Sequence, residues 1–337
     1  MGEKLGAPRD VAAWMGAIQA QDFGMALWGI DQRLSDGANR AVLDAFNAGA
    51  FLRTHVLRPT WHFVAPENIR WMLTLSARRI KVSAQAWGRH LGIGEELYCK
   101  SNRIIEKALE NGVHLTREAL GQELEHSGIV VDASRLVHFT MWAELEGIVC
   151  SGALQGKKQT YALLDERAPQ AELLTRDESL AKLARIYFTS HGPATLQDFV
   201  WWSGLSQAEA RRGMEAVASE LASEVIGGQS YLFAYNSSSF VLPKNTLHLL
   251  PAFDEYLVSY KDRSAVLSPA QHHKAISSNG IFRPTVVVDG SIVGLWKKTN
   301  TKTRPIDFDF FKKPSAATLR KAEKATDGYR EFLLRNN

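Results

Sequence analysis

Residues 101–164 read SNRIIEKALENGVHLTREALGQELEHSGIVVDASRLVHFTMWAELEGIVCSGALQGKKQTYALL, and they place helix and strand signals in a fixed order. Arg103–Asn111 has the apolar spacing of a helix, Thr116 is a good N-cap for a second short helix, and Asp132 is a good N-cap for a third, longer one. Residues 147–164 predict a pair of strands around glycines. A helix-turn-helix followed by two strands predicts a winged-helix unit.

A similar order of elements recurs on both sides of this stretch. On the N-terminal side, three predicted helices precede a strand pair that bends at Arg58-Pro59: Val11–Ala20, Met25–Ile30, Asn39–Ala48, then strands within Phe51–Val64. On the C-terminal side, three predicted helices precede a hairpin with a Gly227-Gly228 tip: Leu180–Thr189, Leu196–Trp202, Gln207–Ala222 capped by Ser206, then Glu224–Ile226 and Tyr231–Tyr235. The sequence therefore predicts three winged-helix units in tandem.

The C-terminal part, from Leu247 onward, has a different pattern. Three segments predict strands, the last two of them β-branched and joined by Asp289-Gly290 as a two-residue hairpin turn, and a helix follows: His248–Phe253, Ile281–Val288, Ser291–Trp296 and Ala316–Leu334. The predicted fold class is α+β and mainly helical. The predicted domains are 1–98, 99–176, 177–246 and a β-rich module at 247–337.

Composition excludes several classes of function. The 337 residues are 45% hydrophobic and 23% charged, which is ordinary for a globular protein, and no run of apolar residues is long enough to predict a membrane span. Cys99 and Cys150 are isolated, so neither a disulfide framework nor a cysteine zinc site is expected. The chain has no Gly-rich phosphate loop and no Cys/His cluster, so no metal and no cofactor is predicted. A reducing cytoplasm is the expected compartment.

Positive charge is concentrated near the C-terminus. Residues 297–324 hold nine Lys or Arg side chains against three acidic ones, although the whole chain carries only +4. Such a segment can contact phosphates, with Lys297 and Lys298 as the first candidates. From charge alone, a solvated Lys-rich tail is the favoured interpretation.

One short motif is the most specific candidate for a functional site in this sequence. Gln19-Ala20-Gln21 lies at the end of the first predicted helix, and by itself such a triplet is usually solvated surface. Four further segments follow it in order: Arg53–Val64, His191–Thr195, Leu250–Tyr256 and Pro284–Trp296. With these segments, nearly the whole chain resembles the bacterial winged-helix DNA glycosylases of the AlkZ/YcaQ type.

The resemblance implies a fold and a chemistry. It implies three tandem winged helices and a small β-barrel-like C-terminal module around a basic, concave DNA-binding face. Enzymes of this family excise N7-alkylated purines, and some unhook interstrand crosslinks. Their catalytic Gln-apolar-Gln motif matches Gln19 and Gln21, so Gln21 is expected to position water and Gln19 to help hold the water or the sugar. Asp22 is a further candidate for an electrostatic or base role.

The glutamines suit this chemistry. A base alkylated at N7 is cationic and leaves readily, so it needs little help from a general acid. The enzyme must instead orient water and stabilise an oxocarbenium-like sugar, which is positioning and electrostatics. A Gln amide can accept a hydrogen bond from water and also donate one.

Other side chains are candidates for contact with substrate or DNA, each with a structural alternative. The candidates are His55, Arg58, Trp61 and His62 on the first wing, Arg211 and Arg212 on the third unit's long helix, and Lys297 and Lys298. For Trp61 and for the Trp201-Trp202 pair, core packing is the favoured interpretation. Asp254, Glu255 and Arg263 are interpreted as a salt-bridged junction between the third unit and the C-terminal module.

The leading hypothesis is a monofunctional DNA repair glycosylase that acts as a monomer on damaged double-stranded DNA, without membrane contact, in the cytoplasm at the nucleoid. The first alternative is a non-catalytic winged-helix DNA-binding protein or regulator, which would tolerate loss of both glutamines. A second alternative is a protein-interaction scaffold, which would have no salt-dependent affinity for DNA.

Overall fold

The computed structural model describes residues 4–35, 41–170, 174–235, 244–299 and 306–336. Within these ranges the chain forms fourteen α-helices and twelve β-strands, and the strands pair in four small antiparallel sheets. None of the described helices is long and apolar enough to cross a membrane.

The first unit differs from its prediction at the glutamine motif. Its elements are α1 (Pro8–Met15), β1 (Ile18–Gln19), α2 (Phe23–Asp31), α3 (Val42–Asn47), β2 (Leu52–His55), β3 (Trp61–Val64) and α4 (Pro66–His90). The predicted helix Val11–Ala20 is wrong at its end, because Gly16 has a φ of 74° and stops α1. The predicted helix Asn39–Ala48 begins outside the described residues. The 25-residue helix α4 was not predicted at all.

The sheet of the first unit has the order β1-β3-β2. Ile18 and Gln19 pair with Phe63 and His62 on the central strand. The predicted strand pair with its bend at Arg58-Pro59 is confirmed, since β2 and β3 flank that turn. The turn contains Leu57 at a φ of 61°, so its path is tightly constrained.

The second unit follows its predicted order closely. Its elements are α5 (Glu95–Leu109), β4 (Leu115–Thr116), α6 (Arg117–His126), α7 (Ala133–Leu145), β5 (Val149–Ser151), β6 (Thr160–Leu163) and α8 (Leu164–Arg167). Both predicted caps are confirmed. The Thr116 hydroxyl accepts the Ala119 N–H, and the Asp132 carboxylate accepts two N–H groups at the start of α7.

The third unit has one shorter helix than predicted. Its elements are α9 (Arg176–Ser190), α10 (Leu196–Ser203), α11 (Gln207–Ala216), β7 (Leu221–Ile226) and β8 (Gln229–Ala234). Ser206 caps α11 in a reciprocal capping box with Glu209, as its sequence suggests. The predicted helix Gln207–Ala222 is wrong beyond Ala216, because the chain is already extended at Leu221 and pairs with Ala234 there.

The C-terminal module contains the largest sheet, in the order β12-β11-β10-β9. Its elements are β9 (Leu247–Leu250), α12 (Glu255–Val258), α13 (His272–Ala275), β10 (Thr285–Val288), β11 (Ser291–Lys298), β12 (Ile306–Phe310) and α14 (Ala316–Arg335). The predicted hairpin at Asp289-Gly290 is confirmed, with both residues at positive φ, as a two-residue turn requires.

The apolar cores cross the predicted domain boundaries. One core joins Leu52 and Met72 of the first unit to the third unit's Leu183 and Phe199. Another joins the first unit's helices to β9–β12 and α14. The first unit therefore lies at the centre of the molecule. The boundaries themselves stay predictions.

Two polar contacts hold the C-terminal module on α2. The Trp28 indole N–H donates to the Leu249 carbonyl at 2.7 Å. The Arg33 guanidinium binds the Asp254 carboxylate through two hydrogen bonds of 3.0 and 2.8 Å, and both side chains are largely buried. Asp254 also caps α12, so this ion pair sets the position of the residues that follow it.

We expect Asp254→Ala to lower the free energy of unfolding by about 3 kcal/mol or more, because it leaves the Arg33 guanidinium buried without its partner. Urea denaturation followed by circular dichroism measures this change. Asp327→Ala is the control, since Asp327 forms an exposed pair with Arg330, and its loss should cost less than about 1 kcal/mol. Equal losses in the two variants would contradict this role of Asp254.

Candidate active site

The glutamine motif begins at the last residue of β1, and its central residue, Ala20, is held by two hydrogen bonds. The Ala20 N–H donates to the Trp61 carbonyl at 2.7 Å, and the Ala20 carbonyl accepts from Arg53 Nε at 3.0 Å. Gln19 is 7% exposed, whereas Gln21, just past the end of β1, is exposed to solvent. One glutamine is therefore built into the protein and the other faces outward.

The Gln19 side chain is held by an arginine from the Leu57–Thr60 turn. Arg58 Nη2 donates to Gln19 Oε1 at 3.2 Å, and the same nitrogen lies 3.2 Å from His62 Nε2. Burial lowers the pKa of Arg58, and the carboxylate of Glu255 opposes that shift. Gln19, Arg58 and His62 thus lie together, with Gln19 on a strand and not at the end of a helix as the sequence predicted.

The hydrogen bonds of His62 define its tautomer. Its Nδ1 lies 2.9 Å from the Thr60 carbonyl, which can only accept, so Nδ1 carries the hydrogen and Nε2 faces Arg58 as an acceptor. Burial and the neighbouring Arg58 hold the pKa of His62 well below its usual value. The imidazole is therefore neutral at physiological pH.

A buried carboxylate is hydrogen-bonded to the backbone of the motif. Glu255, 2% exposed, accepts the Gln19 backbone N–H at 2.6 Å and the Trp202 indole N–H at 3.2 Å. The Ser259 hydroxyl also donates to it. Burial raises the pKa of Glu255, against the opposing effect of Arg58. One side chain thus connects the motif with α10 and α12.

His191 lies next to this carboxylate, with Nε2 at 3.9 Å from Glu255 Oε2. Burial, together with the positive charges of Arg33 and Arg58, lowers the pKa of His191 to about 3. The ring packs parallel to Tyr187 at 5.0 Å and stays uncharged. The cations near Glu255 are therefore arginines, not histidines.

The open side of the motif carries a different set of charges. The Asp22 carboxylate caps α2 by accepting the Met25 N–H at 3.1 Å. Lys298 reaches the same helix end from β11, since its Nζ would lie 3.9 Å from a Cβ placed on Gly24. A cation therefore lies close to the exposed edge where Gln21 is found.

A third group of side chains, on β2 and β3 and with one carboxylate from the second unit, supports the motif. Arg53, which holds the Ala20 carbonyl, lies over the Trp61 ring at 4.4 Å. Glu144 on α7 pairs with buried His55 and accepts from the Trp61 indole N–H at 3.4 Å. Burial lowers the pKa of Arg53 to about 10, so it remains a cation.

The remaining predicted contact residues lie elsewhere. Arg211 and Arg212 are exposed on α11, where Arg212 pairs with Asp177. Lys297 is exposed on β11 and lies 4.0 Å from Asp307. Two members of the basic segment, Lys302 and Arg304, lie outside the described residues. Within the described ranges, no hydrogen bond or ion pair joins Arg211, Arg212 or Lys297 to Gln19, Arg58 or His62.

The contacts that two residues make with the motif are not predicted from the sequence. Arg53 and Glu255 both lie in segments that carry the family resemblance, but nothing local indicates their contacts with the motif. The predicted salt-bridged junction of Asp254, Glu255 and Arg263 is wrong about the arginine. Asp254 forms its ion pair with Arg33 and not with Arg263. Arg263 donates instead to the Leu257 carbonyl at 2.8 Å. Among the described residues, no group of His, Cys, Asp and Glu is placed to hold a metal.

Comparison with known proteins identifies the class of this chain. Residues 12–332 match the family model described as DNA glycosylase AlkZ-like, and the chain therefore belongs to the AlkZ-like DNA glycosylase family. The resemblance found in the sequence is thereby confirmed.

Two relatives from Streptomyces sahachiroi give the likeness its scale. The chain is 25% identical over 306 residues to an interstrand DNA cross-link repair glycosylase. The aligned region covers 86% of this chain and 81% of the relative. The fold of this chain resembles the solved structure of the S. sahachiroi DNA glycosylase AlkZ, with a TM-score of 0.77 and 21% identity. The match covers 96% of this chain and 89% of that one.

We expect acid to destabilise the protein in part through His191. Its folded pKa of about 3 lies below the unfolded value, so the unfolded chain binds the proton first and stability falls as the pH drops below about 6.5. Between pH 6 and pH 5, wild type should lose about 1 kcal/mol more than His191→Gln. Urea denaturation at pH 7, 6 and 5 measures this, and parallel losses in both proteins would exclude the effect.

Proposed function

We propose that the chain is a monofunctional glycosylase that hydrolyses the N-glycosidic bond of N7-alkylated purines in double-stranded DNA. The observation that carries the proposal is the contrast between Gln19, at the end of β1, and Gln21, two residues beyond it. Gln19 is fixed by Arg58 and Glu255, while Gln21 faces solvent beside the helix end where Lys298 lies.

The two glutamines would have different roles in the hydrolysis. Since Gln19 Oε1 accepts from Arg58, its amide nitrogen is left to donate, and it would hold the sugar or the water. Gln21, with both amide atoms open, would orient the attacking water. Because the cationic base leaves readily, positioning of this kind supplies most of what the reaction needs.

Glu255 is proposed as a positioning residue. It binds the backbone N–H of Gln19 and not its side chain, and it is buried. Its negative charge would also balance Arg58 next to a sugar that becomes positive. His62, neutral and hydrogen-bonded to Arg58, would fix the guanidinium without adding a second cation.

His55 and Trp61 are proposed to act through Arg53 instead of touching DNA. His55 is 5% exposed and paired with Glu144, and Trp61 supports the guanidinium that binds the Ala20 carbonyl. Lys298 is proposed to contact a phosphate near the lesion, and Arg211, Arg212 and Lys297 to contact more distant phosphates.

The name of the relative extends the proposal to a second substrate. Because that protein is an interstrand DNA cross-link repair glycosylase, we propose crosslinked purines as further substrates of this chain. The proposal includes three winged helices with the boundaries given above, a barrel-like C-terminal module, and action as a monomer on DNA in the cytoplasm.

A non-catalytic regulator is less well supported. The helix expected to face DNA in the second unit, α7, buries Leu136, His138, Phe139 and Trp142. Its Arg135 donates to the Leu91 carbonyl at 2.9 Å. Side chains that would distinguish one base from another are thus engaged in the protein, whereas the family match favours a glycosylase.

The deciding experiment is single-turnover release of N7-methylguanine from a duplex with one such base, with alkali cleavage to reveal the abasic site. We expect Gln21→Ala to slow release by about 100-fold or more, and Gln19→Ala to slow it to a similar degree. Gln122→Ala, at an exposed position on α6, is the matched control and should cleave like wild type. Unmodified duplex should release almost nothing, because a neutral purine is a poorer leaving group.

Full release by Gln21→Ala would exclude the proposed role of the motif. Intact binding with no release by wild type, on this substrate and on a crosslinked duplex, would favour the DNA-binding alternative.

Lys298 and its neighbour Lys297 provide a second test. Successive strand residues point to opposite faces, and Lys298 lies by α2 while Lys297 lies by Asp307. We expect Lys298→Ala to weaken binding of a lesion duplex by about fivefold at physiological salt, and Lys297→Ala by clearly less. Borohydride should trap no covalent complex, because Lys298 is proposed as a phosphate contact and not as a nucleophile. Equal losses in the two variants would contradict this placement.

A further inference from the structure

Two arginines from different units lie against the same tryptophan ring. The guanidinium carbon of Arg53, on β2, lies 4.4 Å from the centre of the Trp61 ring. That of Arg117, the first residue of α6, lies 5.8 Å from it. The two guanidinium carbons cannot be farther apart than the sum of these distances. The ring therefore brings two cations together at the junction of the first and second units.

Positive charge at this junction is not balanced by the protein. Among the described residues, neither Arg53 nor Arg117 forms an ion pair. Glu144 attracts Arg53 most strongly, but it is already paired with buried His55, and the more weakly acting Asp22 caps α2. Burial and, to a smaller extent, the charge of Arg117 lower the pKa of Arg53 to about 10. Two neighbouring cations repel each other, and an anion bound between them would remove this cost.

Both guanidinium groups also have N–H donors left over. Arg53 donates from Nε to the Ala20 carbonyl, and neither of its Nη atoms has a hydrogen-bond partner in the part of the chain that the structure describes. The Nε of Arg117 is buried and likewise has no partner among the described residues. Burial raises the pKa of Tyr161 beside Arg117, so this phenol is neutral. The Nη atoms of Arg33, by contrast, all bind protein oxygens.

The pair borders the candidate active site. Arg53 binds the carbonyl of Ala20, and the next residue, Gln21, is exposed. Arg53, Trp61 and Arg117 are each partly exposed, so a ligand can reach them from solvent. An anion bound to Arg53 would therefore lie beside Gln21.

We propose that Arg53 and Arg117 together bind one backbone phosphate of the damaged strand, next to the lesion. A phosphate carries a full negative charge and several acceptor oxygens, which suit the planar fork of a guanidinium. Because Arg53 also holds Ala20, this contact would tie the strand to the backbone that carries Gln21. It adds a contact from the first two units to the one proposed for Lys298. The inference rests on the proposed function for its ligand, damaged DNA.

The test replaces one phosphate at a time with a neutral methylphosphonate. The probe is a fluorescent duplex with a tetrahydrofuran abasic site, and the affinity of the full-length chain is measured for each substitution around that site. At the position that the pair contacts, wild type should lose affinity by at least about fivefold, because charge-assisted hydrogen bonds are lost there.

The variants identify the protein side of this contact. Arg117→Ala should bind the probe with all phosphates intact at least about fivefold more weakly than wild type. It should lose clearly less affinity than wild type from the methylphosphonate at that position, since the two changes remove the same interaction. Arg53→Ala should lose its response at the same position. Arg117→Lys, which keeps the charge but not the fork, should recover part of the affinity.

Arg103→Ala is the matched control, because it removes one cation from an exposed position on α5 in the same unit as Arg117. It should respond to every methylphosphonate as wild type does. Unfolding temperatures measured by circular dichroism show whether each variant is folded. The wild-type scan needs no variant, so it tests the inference even if Arg117→Ala does not fold.

Three results would overturn the inference. The first is a wild-type affinity that no single methylphosphonate changes. The second is a different critical phosphate for Arg53→Ala and for Arg117→Ala. The third is weaker binding by Arg117→Ala with an unchanged methylphosphonate response, which would indicate a base contact or a structural role. If wild type releases no N7-methylguanine, the proposed function fails, whereas the methylphosphonate scan still decides whether the pair binds a phosphate.

Discussion

The arrangement around the motif depends on one buried carboxylate. Glu255 joins Gln19, which is 236 residues away in the sequence, to Trp202 of the third unit and to Ser259 of its own helix. A charge so deeply buried is costly unless donors surround it, and three donors do. Three parts of the chain must therefore fold together before the carboxylate receives all of its hydrogen bonds. Because one of those bonds comes from the Gln19 backbone, the same folding event positions Gln19.

The electrostatics of the site follow from which groups are charged. Arg33 and Arg58 remain cations near Asp254 and Glu255, whereas His62 and His191 are buried as neutral rings. This alternation leaves Gln19 in a polar environment in which His62 and His191 carry no proton to give to a base. Such an environment is suited to a leaving group that already carries its positive charge.

Local signals in the sequence predicted local structure well. Thr116, Asp132 and Ser206 cap their helices, and Asp289-Gly290 forms its hairpin, because each of these effects involves only a few neighbouring residues. The two-residue strand at Gln19 is not predicted, because it depends on pairing with the distant strand β3. The Arg33–Asp254 pair was missed for the same reason. Family resemblance identified the glutamines, but their environment is determined by contacts between distant segments.

Ala20 separates two kinds of constraint within three residues. Its side chain is fully buried in the core that the first unit shares with the C-terminal module, while its neighbours carry amides. The size of the side chain is therefore restricted at the central residue of the motif, whereas the two outer residues are restricted to side chains that carry an amide. A larger residue at this position would displace both amides together without removing either one. The spacing between the two glutamine side chains is thus set by apolar packing beneath them, and a search for related sites should weigh the size of the middle residue as heavily as the identity of the outer ones.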